Sequence, residues 1–269
     1  MRVREALEQA RAAGVARLDA QLLLAHVLRR PRAWLIAHDE DELDASAAAA
    51  WSAALAERAA GRPLAYLVGT KEFHGLELQV TPAVLVPRPE TEGLVDWALA
   101  LAAPESALVD LGTGSGAIAL ALAAALPSCR VTATDASPEA LAVARRNGER
   151  LGLAVEWLQG DWWQPLVGRR FEIALSNPPY IAGADPHLAA LTHEPRGALT
   201  PEGDGLAALA AICRGAGAHL NPGGWLLLEH GFDQDAAVRT LLAAAGFEAV
   251  ETRRDLAGLP RCSGGHRPT

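Results

Sequence analysis

The chain of 269 residues is 50% hydrophobic and 21% charged, a composition typical of a globular protein with room for one large or two modest domains. Its formal net charge of -8 argues against general affinity for nucleic acid, because binding to phosphates requires a basic surface. No apolar run long enough to span a bilayer and no secretory leader is present, so we expect a cytoplasmic protein that makes no contact with membranes.

The first sixty residues predict helices. LDAQLLLAHVL places apolar residues at helical spacing, and SAAAAWSAALAERAAG forms an alanine-rich helix that ends at Gly61. Arginine is concentrated in residues 1–36, and the acidic run DEDELD follows at 39–44. These charges indicate either two solvated helix faces or a docking surface for a charged macromolecule. We predict a helical domain over residues 1–70.

A change of pattern follows this domain. FHGLELQVTPAVLVP alternates like a pair of strands, which predicts a β-hairpin linker over residues 71–90. From Ser106 onward, short apolar runs alternate with helical stretches, and Ser137 is placed to cap one of these helices. Residues 91–269 therefore predict an α/β domain with a doubly wound, mostly parallel sheet, whose strands include SALVDLG, RVTATD, VEWLQ, FEIALS, GGWLLLEHG and FEAVETRRD.

The segment DLGTGSG, from Asp110 to Gly116, lies between a predicted strand and a predicted helix. Its glycines occur at every second position, unlike the G-x-G-x-x-G pattern of dinucleotide sites, so we expect a nucleoside-bearing ligand without pyrophosphate. Asp135 ends the next strand, where an acid can accept both ribose hydroxyls. Asp161 and Trp162 follow the third strand and can flank an adenine, although taken alone a tryptophan is more often part of a core.

The tetrapeptide Asn177-Pro178-Pro179-Tyr180 follows the strand FEIALS. Proline disfavours helical geometry in the residue before it, so Asn177 is held extended and its carboxamide can point into a cleft. The Asn177 side-chain oxygen and the Pro178 carbonyl can accept both N–H groups of a planar amide or aromatic amine, with the Tyr180 ring against its face. By itself such a tetrapeptide is also a common turn. Placed at the same sheet edge as DLGTGSG, it predicts a cup that binds a planar NH2 group.

DLGTGSG, the strand-ending Asp135 and SNPPY together resemble the class I S-adenosylmethionine-dependent methyltransferases that act on nitrogen. The resemblance implies a seven-stranded Rossmann-like sheet, S-adenosyl-L-methionine as cofactor and S-adenosyl-L-homocysteine as product. It further implies that the cofactor is bound by Gly112, Thr113, Gly114, Ser115, Gly116, Asp135, Asp161, Trp162 and Asn177. The histidines and the cysteines have no metal-ligand spacing, and we expect no metal site.

Sequence segments outside these motifs indicate which substrate is methylated. VLVPRPETE at 84–92, HEPRGAL before GDGL, WLLLEHG, ETRRDLAGLPR and the N-terminal LDAQLLLAHVL resemble the release factor glutamine methyltransferases over nearly the whole chain. The resemblance implies N5-methylation of the glutamine in the GGQ motif of bacterial peptide chain release factors, docked with help from the helical domain. Asn177, Pro178 and Tyr180 would then be catalytic, and Pro179 would join them in binding the substrate.

Three alternatives stay open at this point: an N6-adenine methyltransferase acting on DNA or RNA, a glutamine methyltransferase acting on a ribosomal protein, and an inactive relative used as a binding module. The sequence departs from the family pattern at His193, where an aromatic residue is usual, and at Pro260-Arg261-Cys262, which leaves the role of the last ten residues open. Arg88, Glu90 and Glu92 either cap the next helix or shape the cleft.

Overall fold

The structure, a computed structural model, describes residues 1–269. The chain divides into two units, Met1–Thr70 and Lys71–Thr269, and the first unit is built from helices. The helices of the first unit are α1 (Val3–Ala12), α2 (Arg17–Leu28), α3 (Trp34–Ala37), α4 (Ala45–Ala59) and α5 (Leu64–Val68). They pack around Trp51, Leu23 and Leu24, which are completely buried. Asp44 caps α4 by accepting a hydrogen bond from the Ala47 amide at 2.7 Å. This unit therefore has its own core.

The second unit alternates strands with helices. Its strands are β1 (Thr70–Phe73, whose first residue belongs to the first unit), β2 (Leu76–Gln79), β3 (Ala107–Leu111), β4 (Arg130–Asp135), β5 (Glu156–Gln159), β6 (Phe171–Ser176), β7 (Leu220–Glu229), β8 (Glu248–Arg254) and β9 (Pro260–His266). Its helices are α6 (Glu92–Leu101), α7 (Ala117–Ala125), α8 (Pro138–Leu151), α9 (Arg196–Leu199), α10 (Ala207–His219) and α11 (Asp235–Ala244). Ser137 caps α8, as predicted, by accepting from the Ala140 amide at 3.1 Å. None of the helices combines the length and the apolar character that crossing a membrane requires.

Seven of the strands form one sheet in the order β5-β4-β3-β6-β7-β9-β8. The first five strands in this order run parallel to one another, and β9 runs antiparallel to both β7 and β8. The central strands are buried on both faces, because Ile173 and Leu175 pack with α6 and α7 while Ala174 packs with α10 on the other side. The predicted mostly parallel, doubly wound sheet is confirmed.

The residues predicted as a linker pack within the second unit. The β1–β2 hairpin buries Phe73 and Leu78 in the same core as α6 and α7. Asn147 of α8 accepts a hydrogen bond from the Gln79 amide at 2.7 Å and donates one to the Gln79 carbonyl at 3.0 Å. The hairpin is thus fixed to the helix that follows β4.

The strand β9, which the residue pattern did not predict, lies between β7 and β8 and completes the sheet. Its central residues, Ser263, Gly264 and Gly265, have little intrinsic preference for a strand. Their small size is what the position needs, because a Cβ atom on Gly264 would lie 2.6 Å from Leu227 Cδ2 and 2.8 Å from the Leu226 carbonyl oxygen. Close packing against β7 therefore selects glycine where propensity argues against a strand.

Candidate active site

The chain order of the sheet reverses between β3 and β6, and this point is where open α/β sheets bind ligands. Leu111 at the end of β3 pairs with Ser176 at the end of β6, and the Ser176 hydroxyl donates to the Leu111 carbonyl at 2.7 Å. The loop 112–116, called the glycine loop below, and the tetrapeptide 177–180 therefore begin side by side. The two predicted motifs lie together at the carboxyl edge of the sheet.

A cavity of about 410 Å³ opens between these two segments. Eight of the nine residues predicted to bind the cofactor line it: Gly112, Thr113, Gly114, Ser115, Asp135, Asp161, Trp162 and Asn177. The exception is Gly116, which has a φ of +85° and immediately precedes α7. A Cβ atom there would lie 3.1 Å from both Leu120 Cδ1 and Trp157 Cη2, so this glycine allows close packing of the helix and does not line the cavity.

The glycine loop is held by its backbone. The amides of Gly112 and Thr113 both donate to the Thr134 carbonyl at 2.9 Å, and the Gly114 amide donates to Asp135 Oδ2 at 2.8 Å. Gly114 has a φ of +56° and no atom within 4 Å of the position that a Cβ would take. The loop thus leaves free space at the cavity wall that any larger residue would fill.

Asp135 joins the glycine loop to α8. Its Oδ1 accepts from the Ser137 amide at 2.9 Å and its Oδ2 accepts from Gly114, which fixes the carboxylate plane. Burial raises the pKa of Asp135 above its ordinary value, and these backbone donors counteract the rise. Asp135 lines the cavity, so its carboxylate can accept further donors from a ligand there.

Trp162 lies against the glycine loop. Its ring carbon Cζ3 is 3.0 Å from where a Cβ of Gly112 would stand, and the residue adopts a φ of +46°, which is uncommon for a large side chain. The Thr134 hydroxyl donates to the Trp162 carbonyl at 3.3 Å. The indole thereby forms part of the cavity wall beside Asp161, in the position of a stacking surface for a planar ring.

Asp110, at the start of DLGTGSG, was not among the predicted binding residues. It is fully buried, the Thr113 hydroxyl donates to its Oδ2 at 2.6 Å, and its Oδ1 has no hydrogen-bond partner. Burial raises the pKa of Asp110 to about 7. Asp110 does not itself line the cavity; Asp135 and Asp161 do, and they give it a negative character that suits a cationic ligand. A buried acid at a strand end is the signal that could have identified Asp110.

A second cavity of about 320 Å³ lies next to the first. It is lined by Pro178, Tyr180, Ile181, Leu191 and Leu199, and the two cavities share Leu85, Arg88, Asn177 and Ala198. Of the remaining tetrapeptide residues, Pro179 faces the first cavity. Asn177 therefore stands on the wall between a larger cavity and a smaller, mostly apolar one.

Hydrogen bonds to Thr91, Glu229 and Gln234 hold the tetrapeptide in place. The Tyr180 hydroxyl donates to Glu229 Oε1 at 3.2 Å, and the Tyr180 backbone carbonyl accepts from Gln234 Nε2 at 2.9 Å. Burial and the neighbouring Glu229 carboxylate raise the pKa of Tyr180, so the phenol stays protonated. Asn177 Nδ2 donates to the Thr91 hydroxyl at 3.1 Å, which leaves Asn177 Oδ1 as the free acceptor of its side chain.

Arg88 and Glu194 join the segment 84–88 to the loop 191–199, and both segments line the cavities. The buried Glu194 carboxylate accepts from the Val86 amide at 3.0 Å and from Arg88 Nη2 at 2.5 Å. No side chain caps the start of α6, so Arg88 shapes the cleft and does not cap that helix. Sequence reasoning identified Arg88 as a candidate but not its partner Glu194.

We expect Glu194→Ala to lower the free energy of unfolding by about 1–3 kcal/mol, because it leaves the buried Val86 amide without an acceptor. It should also raise KM for the methyl acceptor, since Leu85 and Arg88 lose their support. Urea unfolding and steady-state kinetics measure the two effects. The matched control is Glu202→Ala, which breaks an exposed ion pair with Arg196 nearby and should leave both quantities unchanged. Equal effects of the two variants would contradict the role given to Glu194.

Known proteins resemble both units of the chain. Residues 2–69 match the family model of the PrmC N-terminal domain, and residues 98–210 match that of the methyltransferase small domain. The chain is 53% identical over 260 residues to a release factor glutamine methyltransferase of Bordetella pertussis, covering 94% of this chain and 96% of the relative. It is 52% identical over 276 residues to the enzyme of the same name from Burkholderia pseudomallei, covering 98% and 96%.

A solved structure resembles the second unit more distantly. The crystal structure of a methyltransferase from Pyrococcus furiosus superposes with a TM-score of 0.58 at 21% identity, over 72% of this chain and 90% of that one. At this identity the likeness supports the fold alone. Fold, cavities and relatives thus agree on one class of protein.

Proposed function

The chain belongs to the release factor glutamine methyltransferase family, and we propose that it methylates the side-chain amide nitrogen (N5) of the glutamine in the GGQ motif of bacterial peptide chain release factors, with S-adenosyl-L-methionine as methyl donor. The observation that carries this proposal is the position of Asn177 between the two cavities. A group on that wall can touch the cofactor on one side and the methyl acceptor on the other.

The larger cavity suits S-adenosyl-L-methionine. Asp135 would accept both ribose hydroxyls, Trp162 and Asp161 would hold the adenine, and the open backbone at Gly114 would admit the methionine part. When bound, this cofactor supplies an electrophilic methyl group on a positively charged sulfur. The acidic character given by Asp135 and Asp161, which line this cavity, favours that charge.

The smaller cavity suits a glutamine side chain. Leu85, Ile181 and Leu199 would surround its methylene groups and exclude water. The Asn177 side-chain oxygen and the Pro178 carbonyl would accept the two N–H groups of the amide and aim the nitrogen at the methyl group. Tyr180 would contribute its ring face, since its hydroxyl is engaged by Glu229.

The acceptors also compensate for the weak nucleophilicity of an amide nitrogen. As the N–C bond formed and the S–C bond of the donor broke to leave S-adenosyl-L-homocysteine, positive charge would pass from sulfur to nitrogen, and the oxygen acceptors would stabilise it in the transition state. The alkylated nitrogen then loses a proton to solvent, so no strong base is needed at Asn177. Orientation and electrostatics would supply most of the rate enhancement.

The helical unit would help to dock the release factor. It carries exposed apolar side chains, with Ile36 76% and Leu18 51% exposed, that a protein partner can cover. The net charge of -8 favours a protein substrate over a polynucleotide, and release factors place the reaction in the cytoplasm.

The test is to incubate the protein with methyl-labelled S-adenosyl-L-methionine and a purified release factor. We expect label in the wild-type factor and none when the GGQ glutamine is changed to alanine. Parallel incubations with ribosomes and with DNA or RNA should stay unlabelled. Label that survives the glutamine change, or that enters ribosomal protein or adenine, would reject the proposed substrate.

A further inference from the structure

The Asn177 side chain has two orientations, and only one of them serves the proposed reaction, on which this inference rests. A half turn of a carboxamide exchanges its oxygen acceptor with its NH2 donor. With Oδ1 toward the smaller cavity, Asn177 accepts from the target amide. With Nδ2 there, two donors face each other and the target is repelled. The surroundings of Asn177 must therefore select the first orientation.

Thr91 contacts Asn177 from the buried side. Its hydroxyl accepts from Asn177 Nδ2 at 3.1 Å, and the residue is only 4% exposed. Thr91 precedes α6, a position where threonine often caps a helix, yet its side chain makes no capping hydrogen bond. The hydroxyl is therefore free for Asn177.

A hydroxyl group can donate as well as accept, so Thr91 alone fits either orientation of the carboxamide. Glu229 removes this ambiguity. Its carboxyl group is 1% exposed and adjoins the Thr91 hydroxyl, while its Oε1 accepts from Tyr180. An ionised carboxylate can only accept, and Glu229 Oε2 has no hydrogen-bond partner, so it is the acceptor available to the single proton of the Thr91 hydroxyl. Thr91 is then left with lone pairs, which only Nδ2 of Asn177 can match.

We infer that Thr91 and Glu229 are positioning residues that hold the Asn177 carboxamide with Nδ2 turned inward and Oδ1 facing the methyl acceptor. Thr91 lines the larger cavity and Glu229 lines neither, and we assign both a role through Asn177 and not on the target amide itself. Glu229 orients the Thr91 hydroxyl, and the hydroxyl orients Asn177. The same carboxylate holds Tyr180, so one buried acid aligns both ends of the tetrapeptide.

The inference gives turnover a pH dependence. Burial raises the pKa of Glu229 to about 7, with Glu90 adding to the rise and Thr91, Arg261 and Tyr180 opposing it. The Cys262 thiol also faces this carboxyl group and stays protonated, because burial raises its pKa. Protonated Glu229 can donate to Thr91, whose hydroxyl then donates to Asn177 Oδ1 and favours the unproductive orientation. Turnover should therefore fall as the pH drops through about 7.

The test compares Thr91→Val with Thr91→Ser at saturating cofactor and release factor. We expect Thr91→Val to lower kcat by about 10²-fold, and Thr91→Ser to remain within a few fold of wild type, because serine keeps the hydroxyl. The dissociation constant for S-adenosyl-L-methionine, measured by calorimetry, should change much less than kcat in both, because Thr91 is only one of many residues that line the larger cavity. In an Asn177→Ala background, Thr91→Val should cause little further loss, since the group it positions is gone.

Glu229→Gln separates the effect of Glu229 from that of the other acids whose pKa is raised, Asp110 and Asp135. We expect this variant to have a low kcat that no longer rises with pH through about 7, because glutamine permanently offers a donor to Thr91. If Asp110, whose pKa is also about 7, caused the pH dependence, Glu229→Gln would keep the rise. That outcome would overturn the part assigned to Glu229.

A readout independent of activity is the NMR signal of the Asn177 side-chain amide, assigned by its loss in Asn177→Ala. Its protons should exchange slowly with water in wild type and Thr91→Ser, and rapidly in Thr91→Val. Equal exchange in all three proteins, or equal kcat losses in the valine and serine variants, would overturn the inference. A wild-type protein with slow exchange but no methylation of release factor would instead reject the proposed function and leave the orientation of Asn177 supported.

Discussion

Asn177→Ala is expected to lower kcat by about 10²–10³-fold, a loss comparable to that caused by removing one preorganised group that stabilises transition-state charge. The variant loses the side-chain oxygen that would orient the target amide and stabilise its developing charge. The affinity for S-adenosyl-L-methionine should change much less, because many other residues, among them the glycine loop, Asp135 and Trp162, line the larger cavity. Single-turnover kinetics with release factor and calorimetry with the cofactor measure the two quantities separately.

A matched control for this variant is Asn221→Ala. Asn221 donates to Glu172 at 2.5 Å and lines neither cavity, so its removal should leave kcat and cofactor affinity near wild-type values. Equal losses of kcat and cofactor affinity in Asn177→Ala would show that Asn177 mainly binds the cofactor. Its proposed place between the two ligands would then be wrong.

The residues that sequence alone predicted share one property, which is that they follow strands. Asp135 ends β4, Trp162 follows β5 and Asn177 follows β6. Parallel strands bring their carboxyl ends to the same sheet edge, so the order of strands along the chain is enough to expect these side chains near one ligand. Because local patterns determine where each strand ends, the amino-acid sequence is sufficient to predict these positions.

The residues that sequence reasoning missed depend on contacts between distant parts of the chain. Glu194 meets Val86 across 108 positions, and Thr91 meets Asn177 across 86. No periodicity or turn signal encodes such a pairing, because it arises from the way the loops after β6 fold back onto the start of α6. The contact partners of a site residue were therefore harder to predict from sequence than the site residue itself.

Glycines illustrate the same limit. The pattern DLGTGSG groups Gly114 with Gly116, yet the first leaves open space at the cavity wall and the second lets α7 approach Leu120 and Trp157. Likewise the glycines of β9 lowered its strand propensity while making its packing on β7 feasible. Sequence indicates that a glycine is needed, and only the packed structure tells whether a ligand or a neighbouring side chain needs it.

Asp135→Ala is expected to weaken S-adenosyl-L-methionine binding by about 10²–10⁴-fold. A hydrogen bond to a charged group contributes about 1.5–3 kcal/mol, and the carboxylate would accept two from the ribose. The substitution also frees the Gly114 amide, so the glycine loop loses one of its anchors. Calorimetry measures the dissociation constant directly.

The thermal shift produced by the cofactor provides an independent measure, because a ligand that binds only the folded state raises its stability in proportion to ln(1 + [L]/Kd). We expect saturating cofactor to raise Tm in wild type and to leave Asp135→Ala almost unshifted at the same concentration. Glu139→Ala is the matched control. Glu139 lies on α8, four residues after Asp135, and accepts a hydrogen bond from the Ser137 hydroxyl at 3.1 Å. It lines neither cavity. Its cofactor-induced shift should equal that of wild type. A full shift in Asp135→Ala would show that the acid after β4 does not hold the ribose, and the orientation proposed for the cofactor would have to be abandoned.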